Sequence, residues 1–346
     1  MPAGDPTDPA AAVDPVALRR AFAAHDRRWH NYTLVYPVIS RRSGGLSIGV
    51  NLNPDAACNF DCVYCMVDRC GRPCPPPPRG EGAATSRRER VPCGGDTEGL
   101  VDGGEGHPLP SPPPGGEGAG RGVDLAVLRA ELAGMLAAVA DGSVWRDELF
   151  AAVPAKYRRL SDIAFSGDGE PTACPVFADA AQAVIDARAA LQWPDVKIVL
   201  ITNATLLDRP GVERVLATLE AAGGFEVWAK LDAGDEATYR LVNRSAVPLG
   251  RVLDNIAACG RRRPVVIQSM FLRAHGVDPT DAQVTAYVDR LVALRDAGAR
   301  LARVQVYTVA RRTAEPWATP LPVETLEAIA GRVRAGVRGV AVEVYG

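Results

Sequence analysis

"VKIVLITNATLLDRPGVERVLATLEAAGGFEVWAKLDA", residues 196–233, decides the fold. "VKIVLITNA" (196–204) reads as a strand, a helix follows from about Arg209 to Ala222, and "FEVWAKLDA" (225–233) reads as a second strand. Both strands are expected to be apolar on both faces. Strands of that kind, joined by a helix, belong to a parallel sheet whose faces are covered by helices.

The same unit repeats on either side. "VDLAVLRAELAGMLAAVA" (123–140) is a helix leading to the strand "SDIAFSG" (161–167), and a helix from about Val176 to Leu191 follows. Beyond Ala233 come helical material through Arg262, a strand "PVVIQSMFL" (264–272) and a helix from about Thr280 to Ala297. A strand "ARVQVYTVA" (302–310), a helix near Val323 to Ala335 and a last strand "GVAVEVYG" (339–346) complete this half. Toward the N-terminus, "YTLVYPVISRRSGGLSIGVNL" (32–52) suggests a hairpin turning near Ser43-Gly44-Gly45. A helix is expected from Pro15 to about Arg28, with Val16, Leu18, Phe22 and Ala23 on its apolar face, after a frayed tail over 1–15. Counting the strand before Cys58 there are six strand–helix units, too few for a closed eight-fold barrel. The expected fold is α/β, a partial (β/α)6 TIM-like barrel with helices outside; a doubly wound open sheet is the competitor.

Residues 70–122 break the pattern. They hold 14 Gly and 11 Pro in 53 residues with no apolar periodicity, so they bury too little surface to offset the entropy of ordering them. The expected organisation is an N-terminal extension (1–44), a barrel built from 45–69 and 123–346, and a disordered surface insertion (70–122).

With 47% hydrophobic and 23% charged residues, the 346-residue chain has the composition of a soluble globular protein. A formal charge of −2 argues against a dedicated nucleic-acid binder. No stretch reaches the roughly 20 apolar residues of a membrane span. The start "MPAGDPTDPAAAVDP" is acidic and proline-rich, unlike a signal or transit peptide, so a cytoplasmic protein is expected. In that reducing compartment, clustered cysteines mean metal or catalysis more often than disulfides.

Working residues of parallel α/β folds gather at the C-terminal ends of strands. Here those ends carry Cys58, Cys62 and Cys65; "SGDGEPT" (166–172); "TNAT" (202–205); "KLDAG" (230–234); "QS" (268–269); and "YT" followed by "RR" (307–312). Helix N-caps would account for Thr202, Asn203, Asp232 and Thr308 one by one. Six polar endings on one rim point instead to a polar pocket.

"CNFDCVYC" (58–65) is the sharpest signal. Zinc motifs usually pair one CxxC with a second pair, and Cys174 and Cys259 stand alone; a zinc knuckle completed by Cys70 or Cys74 is the alternative. A [4Fe–4S] cluster normally takes four cysteines, so three leave one iron open to a substrate or cofactor. Tyr64, just before the last cysteine, can cover the cluster or stack on a ligand.

These residues resemble the CxxxCxφC signature of the radical S-adenosylmethionine (SAM) superfamily, with Tyr64 as its aromatic. "SGDGEPT" is similar to that superfamily's glycine-rich motif after the second barrel strand. The resemblance covers about residues 45–70 and 123–312. It implies that Cys58, Cys62 and Cys65 hold three irons of a [4Fe–4S] cluster and that SAM chelates the fourth. It further implies that Gly167 and Gly169 allow close backbone approach, that Glu170 faces the methionine ammonium, and that Asp168 binds SAM hydroxyls or caps the next turn. The implied reaction is reductive cleavage of SAM to a 5′-deoxyadenosyl radical that abstracts hydrogen from a substrate. The implied electron donor is a reductase such as flavodoxin or ferredoxin, and the substrate is a small molecule, a peptide or RNA.

"TNA", "KLDAG" and the cysteine loop look most like the branch containing the wybutosine-pathway tRNA enzyme, which puts Asn203 and Asp232 near SAM and substrate. Lys230, two residues before Asp232, shares its side of the strand. It suits a contact to a carboxylate or phosphate, a Schiff base, or a plain salt bridge inside the barrel. Archaeal enzymes of that branch carry a second cluster on cysteines ahead of the radical motif, and no cysteine precedes Cys58 here. Cys70, Cys74 and Cys93 are the remaining candidates for such a cluster. This departure and the acidic balance speak against tRNA modification. From another class, the competing reading is a non-catalytic barrel that binds zinc or a cluster.

The four histidines, His25, His30, His107 and His275, show no metal spacing. Arg311 and Arg312 are either receptors for an anion or a solvated pair, and Arg261–Arg263 suit the end of a helix.

Overall fold

The computed structural model describes residues 29–67, 122–191 and 193–346. The expected tail and helix over 1–28, and the expected insertion apart from Gly122, lie outside the described residues, as do Cys70, Cys74 and Cys93. Strands β1 (Val35–Ser40) and β2 (Gly45–Val50) form the expected antiparallel hairpin, with Val35 opposite Val50 and Ser40 opposite Gly45. Gly44, at φ +68°, makes the left-handed turn between them.

Helix α1 (Leu125–Ala140) then leads to β3 (Leu160–Phe165), and α2 (Phe177–Leu191) to β4 (Lys197–Thr202). Helix α3 (Pro210–Ala221) precedes β5 (Phe225–Lys230), and α4 (Glu236–Val242) and α5 (Leu249–Arg262) precede β6 (Val265–Phe271). After β6 a short strand β7 (Arg273–Ala274) is followed by α6 (Asp281–Asp296) and β8 (Leu301–Thr308). Then come β9 (Ala318–Thr319), which pairs with β7, α7 (Val323–Gly336) and β10 (Ala341–Tyr345).

One eight-stranded sheet runs β1-β2-β3-β4-β5-β6-β8-β10, parallel throughout except for the hairpin. Its order follows the chain without reversal. A doubly wound sheet reverses at a switch point, so that competitor falls away. The sheet curls into a partial barrel with helices around it, its edges being β1 and β10.

The core lies between sheet and helices. Ile48, Val50, Ile163, Phe165, Ile198, Leu200, Val227, Ile267, Val304 and Val306 pack outward against Leu128, Val184, Leu216, Ile256, Leu291 and Leu326. Glu131 of α1 locks the hairpin onto this layer: its buried carboxylate accepts from the backbone N–H of Thr33, Leu34 and Val35 and from the Thr33 hydroxyl.

The inner face corrects the expectation of strands apolar on both sides. Apolar packing there is confined to Ala164, Val199, Ile201, Trp228 and Val266. Near the N-terminal strand ends Glu226 binds Lys197 at 2.6 Å and Arg303 at 2.6 Å, and Arg303 also reaches Glu343 at 3.4 Å. Higher up stand Ser166, Lys230, Gln268 and Tyr307 around a cavity. Along β8 the alternation sends Val304 and Val306 to the helices and Gln305 and Tyr307 inward.

Candidate functional site

The cavity, ≈ 290 Å³, is lined by the cysteine loop on one side and by the ends of β3, β4, β5, β6 and β8 on the other. Cys58, Cys62, Tyr64 and Cys65 all line it, together with Gly167, Asp168, Gly169, Glu170, Asn203 and Lys230. These ten residues, all singled out in the sequence, therefore meet on one cavity; Asp232 does not line it.

The loop from Asn51 to Val67 owes its course to backbone pairing with the far end of α4. Asp61 N–H donates to the Asn243 carbonyl at 3.0 Å and Val63 N–H to the Val242 carbonyl at 2.9 Å. The same Asn243 sends its Nδ2 to Cys62 Sγ (3.5 Å) and to Asp232 Oδ2 (2.7 Å). Cys58 Sγ accepts from the Phe60 N–H at 3.4 Å and lies 3.9 Å from Asn203 Nδ2. Burial pushes the Cys62 thiol up to about 12; Lys230 pulls it back and Asp232 adds to the rise.

Among the described residues, no three His, Cys, Asp or Glu side chains gather around one point as a single metal ion requires. Each thiolate of an iron–sulfur cluster binds its own iron, and three cysteines lining one cavity, two of them with N–H donors at their sulfurs, suit such a group. The residues present fit the group.

The glycine turn after β3 is built to touch this loop. A Cβ on Gly169 would stand 1.9 Å from the Ala57 carbonyl oxygen, and one on Gly167 (φ +151°) 2.4 Å from Asn51 Oδ1. The close approach expected for these glycines is thus made against the cysteine loop. Asn51 fastens the two: its Nδ2 donates to Asp168 Oδ2 at 2.7 Å while its Oδ1 accepts from the backbone N–H of Asp168 and Asn53, both at 3.1 Å.

Glu170 is 2% exposed. Its Oε1 accepts from Thr172 N–H (3.2 Å), Thr172 Oγ1 (2.5 Å) and Thr202 Oγ1 (2.7 Å), and its Oε2 from Asn203 N–H (2.7 Å). Burial raises its pKa and these donors pull it back. Four donors on two oxygens make it a tie between the ends of β3 and β4, and it also lines the cavity.

Asp232 is likewise a tie and not a cavity wall. Its carboxylate accepts from Met270 N–H at 2.9 Å, from Asn243 Nδ2 and from the Tyr64 hydroxyl. Burial first, then Asp232, holds the Tyr64 phenol well above its usual pKa, so Tyr64 stays neutral with its ring over the cavity. The position of Asp232 past the end of β5 explains why it leaves the side that Lys230 shares with the cavity. Lys230 donates to the Tyr307 hydroxyl at 3.1 Å, and its Nζ lies 4.9 Å from the Tyr64 ring centroid. Burial works against its charge, but Tyr307, Asp232 and Cys62 outweigh that and raise its pKa.

Helix caps do not explain the polar strand ends. The caps of α3, α4 and α7 are Arg209, Asp235 and Pro322, while Thr202, Asn203, Asp232 and Thr308 bond to other strand ends and loops. Sequence reasoning missed Asn51 and Asn243. "NLN" directly after β2 offered a signal for the first; nothing local marked the second.

No helix among the described residues is long and apolar enough to cross a membrane. No family model and no curated protein matches the chain. Among solved structures it is similar to SuiB from Streptococcus suis, at 14% identity over 54% of this chain and 39% of that one, with a TM-score of 0.42. It is also similar to a radical SAM methyltransferase from Sphaerobacter thermophilus: 16% identity, 65% and 58% covered, TM-score 0.43. An archaeal TYW1 aligns at 12% identity, 63% and 66% covered, TM-score 0.40. The chain thus spans about two-fifths of the length of SuiB. The functional reading rests on this chain's own residues.

Proposed function

We propose that the chain is a radical SAM enzyme. One observation carries the reading: Cys58, Cys62 and Cys65 line the cavity at the strand ends of a partial barrel, with amide and backbone N–H groups aimed at the sulfurs of Cys58 and Cys62. In this reading the three thiolates would hold a [4Fe–4S] cluster, which would supply the single electron for reductive cleavage of bound SAM to methionine and a 5′-deoxyadenosyl radical. Asn203, Asn243 and the Phe60 N–H stabilise negative charge on the ligand sulfurs. Tyr64, held by Asp232, forms part of the wall that keeps water from the reacting face. Asp168 stands at the cavity to accept SAM hydroxyls, and Glu170 positions Asn203 beside it. A flavodoxin- or ferredoxin-type donor completes the proposal.

Anaerobic reconstitution of the full chain with iron and sulfide tests it. Iron–sulfur charge-transfer absorbance and dithionite-dependent release of 5′-deoxyadenosine from SAM are expected, and both should vanish in Cys62→Ala. A colourless protein, or a coloured one that leaves SAM intact, overturns the enzyme reading and returns the metal-binding scaffold.

A further inference from the structure

The cations of the barrel interior are not equivalent. At the N-terminal strand ends Lys197 and Arg303 both pair with Glu226. Lys230, on the cavity wall, forms no ion pair with any carboxylate among the described residues; its hydrogen bond goes to the hydroxyl of Tyr307 at 3.1 Å. An ammonium has three donors, so two are left over.

Asp232 favours the Lys230 charge through space, but no carboxylate among the described residues bonds to it. Asp232, two residues on, already receives Tyr64, Asn243 and the Met270 N–H. Across the sheet, Lys230 is in register with Gln268. That amide is oriented by a relay: Glu343 Oε2 accepts from Gln305 Nε2 at 3.2 Å, and Gln305 Oε1 accepts from Gln268 Nε2 at 3.1 Å. The relay leaves a carbonyl oxygen, Gln268 Oε1, with no donor, and puts no anion near Lys230. Meanwhile the rings of Tyr64 and Tyr307, with centroids 4.9 and 5.8 Å from Nζ, hold the ammonium in place and favour its charge. The half-buried ammonium on the cavity wall thus keeps two N–H donors for a ligand, and an anionic group takes them as charge-assisted hydrogen bonds.

We propose that Lys230, fixed by Tyr307 and flanked by Tyr64, anchors a carboxylate or phosphate group of a small substrate inside the barrel. Only the word substrate rests on the functional reading above; the anion site stands on its own geometry. The barrel interior around Lys230, with Trp228 and Gln268 on the same wall, suits a small molecule whose anionic group enters the cavity.

The test needs neither cluster nor turnover. Acetate and inorganic phosphate are titrated into the full chain, as isolated and after reconstitution, with melting temperature and tryptophan fluorescence as readouts, since Trp228 lines the same cavity. Saturable binding is expected in the parent and in the surface control Lys156→Met. Lys230→Gln should weaken it about tenfold or more, as loss of a charged hydrogen bond does, and Lys230→Arg should restore most of it. Equal binding by Lys230→Gln, or no saturable binding by the parent, overturns the proposal. A parallel arm measures SAM affinity of the reconstituted protein. If Lys230→Gln loses SAM affinity while acetate and phosphate still bind the SAM-loaded protein as in the parent, the anion held is the SAM carboxylate and the substrate assignment is wrong. A reconstituted protein that never cleaves SAM, yet binds the anions through Lys230, defeats the enzyme reading alone.

Discussion

Replacing Gly169 by alanine probes the joint between the glycine turn and the cysteine loop. The backbone of Gly169 does not lie at positive φ, so alanine meets no conformational penalty there and sterics alone decide. The added Cβ falls 1.9 Å from the Ala57 carbonyl oxygen and 2.7 Å from Asn53 Cβ and Cγ, where ordinary contact begins at 3.4 Å. The loop must therefore retreat by about 1.5 Å (3.4 − 1.9). Retreat also breaks the bond from Glu170 N–H to the Ala57 carbonyl, 3.4 Å long. Overpacking at about 1–3 kcal/mol plus one hydrogen bond near 1 kcal/mol gives roughly 2–4 kcal/mol. For a 346-residue chain, with unfolding entropy of about 2.1 cal/mol/K per residue, that is a fall in Tm of about 3–6 °C. Because Cys58 follows Ala57 directly, iron bound after reconstitution should fall with it. The control is Gly211→Ala on α3, where the nearest atom to the new Cβ is Arg214 Nη2 at 3.9 Å; it should leave Tm unchanged or slightly raised. Circular dichroism melting and iron per chain are the assays. A Gly169→Ala protein that keeps both the parental Tm and the parental iron content would refute the claim that this contact shapes the loop.

Two further outcomes follow from the ties around the site and the charges at the base of the barrel. Burial raises the Glu226 pKa, but Arg303, Lys197 and Trp228 more than reverse this and bring it from 4.5 to about 2. A depressed carboxylate contributes stability above its unfolded pKa and loses it as pH falls through the folded one. Denaturation curves should therefore show roughly 3 kcal/mol lost between pH 5 and 2 in the parent, a loss that Glu226→Gln lacks; parallel curves would contradict it. Asn243→Leu removes the N–H aimed at Cys62 Sγ, so the reduced cluster loses stabilisation and its potential should fall by about 20–60 mV in an EPR-monitored titration. An unchanged potential in a variant with normal iron content would show that Asn243 serves only Asp232.

What could be read from the sequence divides by the distance over which each residue acts. The strand–helix alternation, the hairpin and the spacing of Cys58, Cys62 and Cys65 are local patterns, and the structure reproduces them within a few residues at each boundary. The inner faces were misread because "VQVY" (304–307) looks apolar as a run, yet alternation sends Gln305 and Tyr307 inward while Val304 and Val306 meet the helices. Residue type also does not show the structural use of a charge. Glu170 and Asp232 look like acids facing a ligand, and each is also held by donors from other segments: Thr202 and Asn203 for the first, Asn243 and Met270 for the second. Lys230 lies two residues from Asp232 and has the opposite fate, because the strand that ends at Lys230 keeps its side chain in the barrel while Asp232 has already left it.

Asn243 shows why such roles escape a linear reading. It stands 181 residues from Cys62 in sequence, and nothing in "LVNRS" (241–245) suggests a sulfur ligand nearby. Its position follows from the short helix α4 ending against the cysteine loop, where two backbone bonds, from Asp61 and Val63, set the register. Once that register is set, one amide reaches both Cys62 and the carboxylate that holds Tyr64. On the proposed reading, the cysteine spacing specifies which atoms would bind a cluster. The surroundings of Cys62 are specified by the α4 junction, which the spacing does not encode. A substitution that frays α4 without touching any cysteine, such as loss of its Asp235 cap to the Thr238 N–H, should therefore disturb Cys62 and Tyr64 together.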